Sequence, residues 1–209
     1  MKKETIGVID YDAGNLKSVE TALRYLEADF VISGEPAVLS KTSRVIFPGV
    51  GDANAAMQVL KTRGLDKMLQ ETFQAGKPIL GICLGTQIVF SASEERNTQC
   101  LDLVPGKVVR FPVRKGYKIP HMGWNQVKIV REHPLFSGIA DNSSFYFVHS
   151  YYPVPENRDY VIGETDYGFV FTSAIECRNL VAVQFHPEKS GETGLKMLKN
   201  FLSWQVQED

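Results

Sequence analysis

Short apolar runs alternate with helical patterns through the first hundred residues, and this alternation is the strongest constraint on the fold. Four apolar runs predict buried strands, at residues 5–10, 30–33, 44–47 and 78–83. Three stretches with helical character lie between or after them, at residues 16–26, 53–74 and 86–93. Strands that alternate with helices favour an α/β fold of three layers, with a mostly parallel central sheet and helices on both faces.

The second half of the chain has a different texture. Of the 22 Phe, Trp and Tyr residues, 13 lie between Phe111 and Phe171, which favours strands over helices there. We expect antiparallel strands added to the parallel core, at residues 107–113, 126–130, 144–149, 160–164, 170–176 and 180–185. A last helix is expected at residues 193–204. No repeat or linker divides the sequence, so we expect a single domain over residues 1–209.

Charge and cysteine content restrict the classes of function. The 23 Lys and Arg residues nearly balance the 24 Asp and Glu residues, and this argues against a nucleic-acid or membrane-surface binder. No apolar run approaches the roughly 20 residues of a membrane-spanning helix, and the amino terminus turns acidic before a signal peptide can form. Three cysteines build no disulfide framework, so we expect a cytoplasmic protein.

The segment at residues 78–87 is the most informative in the chain. An apolar strand runs into Gly81-Ile-Cys83-Leu-Gly85 and then a helical pattern, which is the spacing of a nucleophile elbow with Cys in place of Ser. Glycines flank such a nucleophile because the chain folds closely around it. The N–H groups at the start of the next helix favour the reactive thiolate. A buried structural cysteine is the alternative interpretation of Cys83.

A second glycine-rich turn follows the strand predicted at 44–47. In Pro48-Gly49-Val50-Gly51, a backbone N–H, that of Val50 above all, can face the oxyanion that forms when a thiolate attacks a carbonyl. A plain strand-to-helix turn with Asp52 as N-cap is the alternative. Both turns fall at the carboxyl ends of parallel strands, where open α/β sheets place their sites.

Four histidines could serve a thiolate as general base, and His186 is the best candidate. It follows an alternating strand and precedes Pro187-Glu188, so an extended chain would place the Glu188 carboxylate beside its ring. That is the arrangement of a catalytic triad. His133 lies in a polar turn and is expected to be solvent-exposed, while His121 and His149 could be structural or at an interface. The sequence has no four-ligand spacing that would indicate a metal site, and no cofactor is expected.

These motifs resemble those of the class I, or triad, glutamine amidotransferases, whose flavodoxin-like fold agrees with the predicted layers. More closely, the chain resembles the amidotransferase subunits of imidazole glycerol phosphate synthase, an enzyme of histidine biosynthesis. The segments that carry this resemblance span most of the chain: 9–15, 47–51, 81–87, 105–110, 120–125, 146–151 and 184–190. Pro120-His-Met-Gly-Trp-Asn and Tyr146-Phe-Val-His-Ser-Tyr are more specific than the triad.

The resemblance implies a role for each matching residue. Cys83 would be the nucleophile, His186 the base and Glu188 its partner. The backbone at Val50, Gly51 and Leu84 would form the oxyanion hole. L-Glutamine would be held by Gln87, Glu95, Ser150 and Tyr151, with Glu95 supplying the anion that an α-amino group needs.

The resemblance also implies a partner, a (β/α)₈ cyclase subunit that forms a heterodimer with the chain and receives its ammonia. Seven residues are candidates for the docking face: Asp12, Asn15, His121, Trp124, His149, Tyr151 and Lys189. For the aromatic ones, ordinary strand packing is the alternative. The chain departs from the family pattern at Asp12, which replaces a Gly, and at Thr86, which replaces a Met.

Three rival functions remain open on sequence alone. The same glutaminase could feed another synthase, for instance one that makes an amidino group on a surface sugar. A Cys hydrolase or redox protein of the same fold would not need the Pro120-His-Met-Gly-Trp-Asn segment. A catalytically silent binding subunit would have no need for the complete set of Cys83, His186 and Glu188.

Overall fold

A computed structural model of the chain describes residues 4–12 and 16–206, so Asn15 lies outside the described residues. The strands in the first half are β1 (Ile6–Ile9), β2 (Phe30–Ser33), β3 (Arg44–Gly49), β4 (Ile79–Cys83), β5 (Phe90–Ser93), β6 (Thr98–Gln99) and β7 (Val104–Arg110). Those in the second half are β8 (His121–Ile129), β9 (Ser143–His149), β10 (Tyr151–Pro155), β11 (Val161–Asp166), β12 (Val170–Cys177) and β13 (Leu180–Val183). The helices are α1 (Leu16–Tyr25), α2 (Pro36–Leu39), α3 (Ala53–Arg63), α4 (Leu65–Gln74), α5 (Leu84–Ile88) and α6 (Gly191–Ser203).

Within the described residues, the main sheet has nine strands in the order β2-β1-β3-β4-β13-β12-β11-β8-β9. The pairs from β2 to β13 are parallel, and those from β13 to β9 are antiparallel. The predicted parallel core with added antiparallel strands is therefore confirmed. β4 lies inside the parallel part, between β3 and β13, so its carboxyl end, at Cys83, is flanked by a strand on each side.

A smaller sheet has the order β10-β7-β5-β6. β5 and β7 run parallel, while β10 pairs antiparallel with β7 and β6 pairs antiparallel with β5. β10 follows β9 after a single residue, Ser150. The chain thereby crosses from the large sheet to the small one beside the carboxyl end of β4.

Two hydrophobic cores cover the two faces of the large sheet. Successive side chains of β4 alternate between them, because neighbouring residues of a strand point to opposite faces. Ile79 packs into the core that contains the apolar residues of α3 and α4, whereas Leu80 and Ile82 pack into the core that contains those of α1 and α6. This is the expected three-layer arrangement with helices on both faces.

The long helix expected at residues 53–74 is wrong in one respect, because it is two helices. Gly64 separates α3 from α4 with a left-handed φ of 69°, and its N–H donates to the carbonyls of Leu60 and Lys61. This is a glycine helix end, which few other residues adopt without strain. Helical apolar spacing continues on both sides of Gly64 and so conceals the break.

The helix expected at residues 86–93 is also wrong. α5 begins at Leu84 and ends at Ile88, and β5 follows as part of the small sheet. The backbone hydrogen bonds of β5 come from pairing with β6 and β7, and a local sequence pattern does not reveal this pairing. The strands β6 and β10 and the short helix α2 were not predicted. No helix in the described part of the chain has the length and apolar character needed to cross a bilayer.

Candidate active site

Cys83 lies on a sharp turn between β4 and α5. Its backbone angles, φ 54° and ψ −104°, fall in a region that non-glycine residues rarely adopt and that costs about 1–3 kcal/mol. The flanking glycines permit the turn, since a Cβ on Gly85 would lie 1.9 Å from the carbonyl oxygen of Phe47. A Cβ on Gly81 would lie 3.0 Å from the Cβ of Ala182. The backbone thus has the form of the nucleophile elbow expected from the sequence.

His186 and Glu188 form a tight buried pair next to the turn. Nδ1 of His186 lies 2.7 Å from Oε1 of Glu188. His186 itself is extended, but Pro187–Lys189 form a turn of 3₁₀ helix rather than the extended chain we expected. The i, i+2 proximity therefore arises through this turn. The carboxylate accepts a hydrogen bond from Nδ1–H and leaves Nε2 as the reactive nitrogen.

The electrostatic surroundings of His186 keep its ring protonated. Burial on its own lowers the pKa of an imidazole. Interactions with Cys83 and with the Glu188 carboxylate outweigh burial and raise the pKa of His186 to about 10. Nε2 is buried and has no hydrogen-bond partner among the described residues. The arrangement can thus hold a thiolate and an imidazolium side by side, with the ring proton available to a leaving group.

Ser190 holds this pair in place, a role that the sequence reasoning missed. Its Oγ donates to the carbonyl of His186 at 2.6 Å and accepts from the N–H of Tyr146 at 2.9 Å. The N–H of His186 in turn donates to the carbonyl of Tyr146 at 2.8 Å. The base is therefore tied to strand β9. Ser190 lies in the His186-Pro-Glu-Lys-Ser190 motif, but its partner is 44 residues away and invisible to local patterns.

A cavity of about 260 Å³ opens beside Cys83. All the residues assigned to the oxyanion hole and the glutamine shell line it: Val50, Gly51, Leu84, Gln87, Glu95, Ser150 and Tyr151. Pro120, Val148 and His149 complete the lining. Segments far apart in the chain meet here because β3, β4, β9 and β10 all end or begin at this edge. The volume suits a ligand smaller than a drug-sized molecule.

Glu95 places a carboxylate at one wall of this cavity. One of its oxygens accepts the N–H of Ala53, the first residue of α3, at 2.7 Å. Partial burial is the main cause that raises the pKa of Glu95, and the bond from Ala53 and the charge of Arg96 oppose it. A partly desolvated carboxylate is a strong partner for a ligand's ammonium group.

Two glutamine side chains connect the cavity wall to the sulfur of Cys83. Nε2 of Gln87 donates to the carbonyl of Tyr151 and to Oε1 of Gln184, both at 3.1 Å. Nε2 of Gln184 lies 3.8 Å from Sγ of Cys83, within hydrogen-bonding range for sulfur. Gln184 was not identified from the sequence. A polar amide inside the apolar run Val181-Ala-Val183-Gln184-Phe185 is the sequence signal that could have found it.

His121 and His149 are buried and bonded to each other, with 3.0 Å between Nδ1 of His121 and Nε2 of His149. Nδ1 of His149 donates to the carbonyl of Tyr151, and Nε2 of His121 accepts from the amide of Asn125. Burial lowers the pKa of His121 to about 4 and that of His149 to about 3. Both rings are neutral at pH 7 and buried in the fold, and their docking role stays a prediction.

The other docking candidates differ in exposure. The Trp124 side chain is 59% exposed and packs on Tyr146, with ring centroids 6.2 Å apart. Lys189 is half-buried, and the carboxylate of Asp12 pairs with Arg63 in an exposed setting. Asp12 has a left-handed φ of 62°, at the position where the family pattern has Gly.

Two further expectations concern histidine and metals. His133 is buried rather than exposed, because its ring bonds to Glu176 at 3.1 Å and packs against Trp204. Among residues 4–12 and 16–206, no three His, Cys, Asp or Glu side chains are grouped so that they could hold a metal ion.

Similar solved structures share the fold. The chain matches a structure of PurLQS from Thermotoga maritima with a TM-score of 0.75 at 18% identity, covering 96% of this chain and 98% of the other. A glutamine amidotransferase from Thermotoga maritima matches with a TM-score of 0.67 at 17% identity, covering 97% and 84%. At these identities the likeness concerns the fold alone.

Sequence comparisons are more specific. The profile of the family "Glutamine amidotransferase class-I" matches residues 7–204. The imidazole glycerol phosphate synthase subunit HisH of Aromatoleum aromaticum is 47% identical over 208 residues, which cover 95% of this chain and 98% of that protein. HisH of Methanothermobacter thermautotrophicus is 48% identical over 198 residues, covering 94% and 97%. The chain therefore belongs to the class I glutamine amidotransferase family and, within it, to the family of HisH subunits.

Proposed function

We propose that the chain is the glutaminase subunit of imidazole glycerol phosphate synthase and hydrolyses L-glutamine to L-glutamate and ammonia. The observation that carries the proposal is the position of Cys83, on a strained turn that lines the cavity and beside the buried His186–Glu188 pair. The identity of 47–48% to HisH subunits supports the same reaction here.

The reaction begins with attack of the Cys83 thiolate on the side-chain amide carbon of glutamine. A C–S bond forms, and the amide oxygen becomes an oxyanion that backbone N–H groups at Val50 and Leu84 stabilise. The C–N bond then breaks as the nitrogen takes the Nε2 proton of His186, so that ammonia leaves and a thioester remains. The raised pKa of His186 suits this first role as an acid.

Water completes the cycle. Neutral His186 takes a proton from the water as its oxygen attacks the thioester carbon, and the thiolate leaves as glutamate forms. Both charged forms at the site are thereby restored. Glu188 holds the imidazolium in the correct orientation and compensates its charge throughout.

The ammonia passes to a (β/α)₈ cyclase subunit that makes imidazole glycerol phosphate and an aminoimidazole carboxamide ribotide. Direct transfer keeps ammonia from becoming ammonium, which is not a nucleophile. Trp124 is a candidate docking residue, because its ring is exposed and packs on Tyr146, whose backbone holds His186. A partner that shifts Trp124 would act on the base through Tyr146. The HisH relatives support this partner over the surface-sugar synthase.

Isotope transfer tests the proposal. The chain and an imidazole glycerol phosphate synthase cyclase subunit are mixed with the cyclase precursor, amide-¹⁵N glutamine and excess unlabelled ammonium. We expect imidazole glycerol phosphate that carries ¹⁵N, and no labelled product with the Cys83→Ala variant. Wild-type protein that releases glutamate but yields only unlabelled product would refute transfer to this partner. A Cys83→Ala variant that hydrolyses glutamine at the normal rate would refute the chemistry.

A further inference from the structure

Gln184 lies between the candidate nucleophile and the wall of the glutamine cavity. It is fully buried, and the two ends of its amide contact different partners. Nε2 is 3.8 Å from Sγ of Cys83, and Oε1 accepts from Nε2 of Gln87 at 3.1 Å. The mechanism above uses Cys83 and the binding shell uses Gln87, but neither assigns a role to Gln184.

A backbone carbonyl sets the direction of this chain of amides. The carbonyl of Tyr151 can only accept, so the group of Gln87 that faces it at 3.1 Å must be the NH₂. The same NH₂ faces Gln184, which must therefore turn its oxygen toward Gln87 and its NH₂ toward the sulfur. The opposite orientation of Gln184 would bring two NH₂ groups together and aim an oxygen lone pair at Cys83.

We propose that Gln184 positions the Cys83 sulfur and stabilises its thiolate form, through an amide N–H whose direction the Tyr151 carbonyl sets by way of Gln87. This inference rests on the proposed function, because it concerns the same nucleophile. An N–H donor favours an anionic acceptor over a neutral one, and a buried setting strengthens the preference. Gln87 and Tyr151 line the cavity, so the sulfur is connected to the groups that surround the substrate.

Alkylation of Cys83 tests the inference without glutamine or a partner. Iodoacetamide reacts with the thiolate, and mass spectrometry of the Cys83 peptide separates its rate from those of Cys100 and Cys177. The Gln184→Met variant keeps the length of the side chain and removes both polar groups. We expect alkylation at a pH below the midpoint of the wild-type rate profile to be about three- to tenfold slower than in wild type, since the anion has lost a donor. At a pH where all of Cys83 is thiolate, the two rates should agree within about twofold.

The convergence at high pH separates this role from a merely structural one. A variant that altered access to Cys83 would slow alkylation by the same factor at every pH. Thr165→Val is the matched control, because it also removes a buried hydrogen bond, from Oγ1 to Oγ of Ser173 at 2.9 Å, without touching the sulfur. Its pH profile should follow that of wild type.

Each outcome of the alkylation experiment either supports or overturns the inference. A Gln184→Met profile equal to that of wild type, or slowed equally at every pH, overturns the inference. If thermal unfolding shows that Gln184→Met does not fold, Gln87→Met replaces it. Slowing of about twofold below the midpoint of the wild-type profile that disappears at high pH supports the inference, and an unchanged profile overturns it. An active Cys83→Ala enzyme would defeat the proposed function whatever the alkylation rates, so the two failures are distinguishable.

Discussion

The Nδ1 nitrogen of His186 lies 2.7 Å from the Oε1 oxygen of Glu188, and the two side chains are only 2% and 4% exposed. A carboxylate in this position determines which ring nitrogen carries the fixed proton and stabilises the imidazolium that the first chemical step needs. Ser190 ties the same backbone to strand β9, so the base is held from two sides.

Replacing Glu188 with Gln should therefore affect chemistry more than binding. The Glu188→Gln variant would keep the side-chain volume but lose the charge that supports the imidazolium, and we expect kcat for glutamine hydrolysis to fall by about 10²- to 10⁴-fold. Glu192→Gln is the matched control, because it removes an exposed carboxylate at the start of α6. Steady-state kinetics of both variants with the cyclase subunit provide the measurement, and a Glu188→Gln enzyme within threefold of wild type would contradict the assigned role.

The pKa values of the buried histidines should be shifted in opposite directions. His186, with a pKa raised to about 10, should remain an imidazolium at pH 8, whereas His121 and His149, with pKa values of about 4 and 3, should be neutral at pH 6. NMR of ¹⁵N-histidine-labelled protein distinguishes the two forms. In Cys83→Ala the thiolate is missing, so the pKa of His186 should fall. Neutral His186 at pH 8 in the wild type would rule out the proposed ion pair.

Burial of the His121–His149 pair should make the folded protein less stable at acid pH. Because both folded-state pKa values lie below the unfolded value of about 6.5, the stability from the neutral pair is present above pH 6.5 and lost as pH falls toward 4. Each histidine that binds a proton only on unfolding lowers the free energy of unfolding by about 1.4 kcal/mol per pH unit. Urea unfolding at pH 7, 6 and 5 measures this dependence. The free energy of unfolding of His121→Gln should fall less steeply with decreasing pH than that of the wild type. The same pH dependence of the free energy of unfolding in both proteins would be evidence against the buried neutral pair.

Removing the charge of Glu95 should weaken substrate binding while leaving chemistry largely intact. Glu95→Gln keeps an oxygen for the N–H of Ala53 but loses attraction for the α-amino group. We expect KM for glutamine to rise about tenfold with kcat within about threefold of wild type. Glu94→Gln is the control, since its carboxylate binds the N–H of Arg110 and does not line the cavity. A fall in kcat with unchanged KM would place Glu95 elsewhere in the mechanism.

The turn around Cys83 should be intolerant of a methyl group at Gly85. Its Cβ would overlap the carbonyl of Phe47, so Gly85→Ala should lower the free energy of unfolding by about 3 kcal/mol or more. A Cβ on Gly64 meets no atom within 4 Å, and Gly64→Ala should cost only the strain of its left-handed backbone, about 1–2 kcal/mol. Chemical denaturation of the two variants measures the difference. Equal losses would mean that the elbow is less tightly packed than described.

Local motifs were sufficient to identify the candidate catalytic residues, because Cys83 and the His186–Glu188 pair each lie in a short segment with its own geometric logic. The supporting contacts were beyond reach, since Ser190 meets Tyr146 and Gln184 meets Gln87 only after distant strands have aligned. Likewise, His133 stands among polar neighbours in the sequence, but Glu176 and Trp204 enclose it in the fold.

The same distinction applies to the secondary structure. The parallel strands were predictable because they are continuous apolar runs buried on both faces. β5 was not, because its strand conformation depends on β6 and β7, and the break at Gly64 was hidden by apolar spacing on both sides.

The most direct test is to map where a reactive glutamine analogue attaches. An analogue with a diazoketone in place of the side-chain amide can occupy the cavity and alkylate the nucleophile. We predict one adduct per chain, on the peptide that contains Cys83, with glutaminase activity lost in proportion to labelling and excess glutamine giving protection. Full inactivation with Cys83 unlabelled, or labelling of Cys100 or Cys177 instead, would contradict the assignment of Cys83 as the nucleophile.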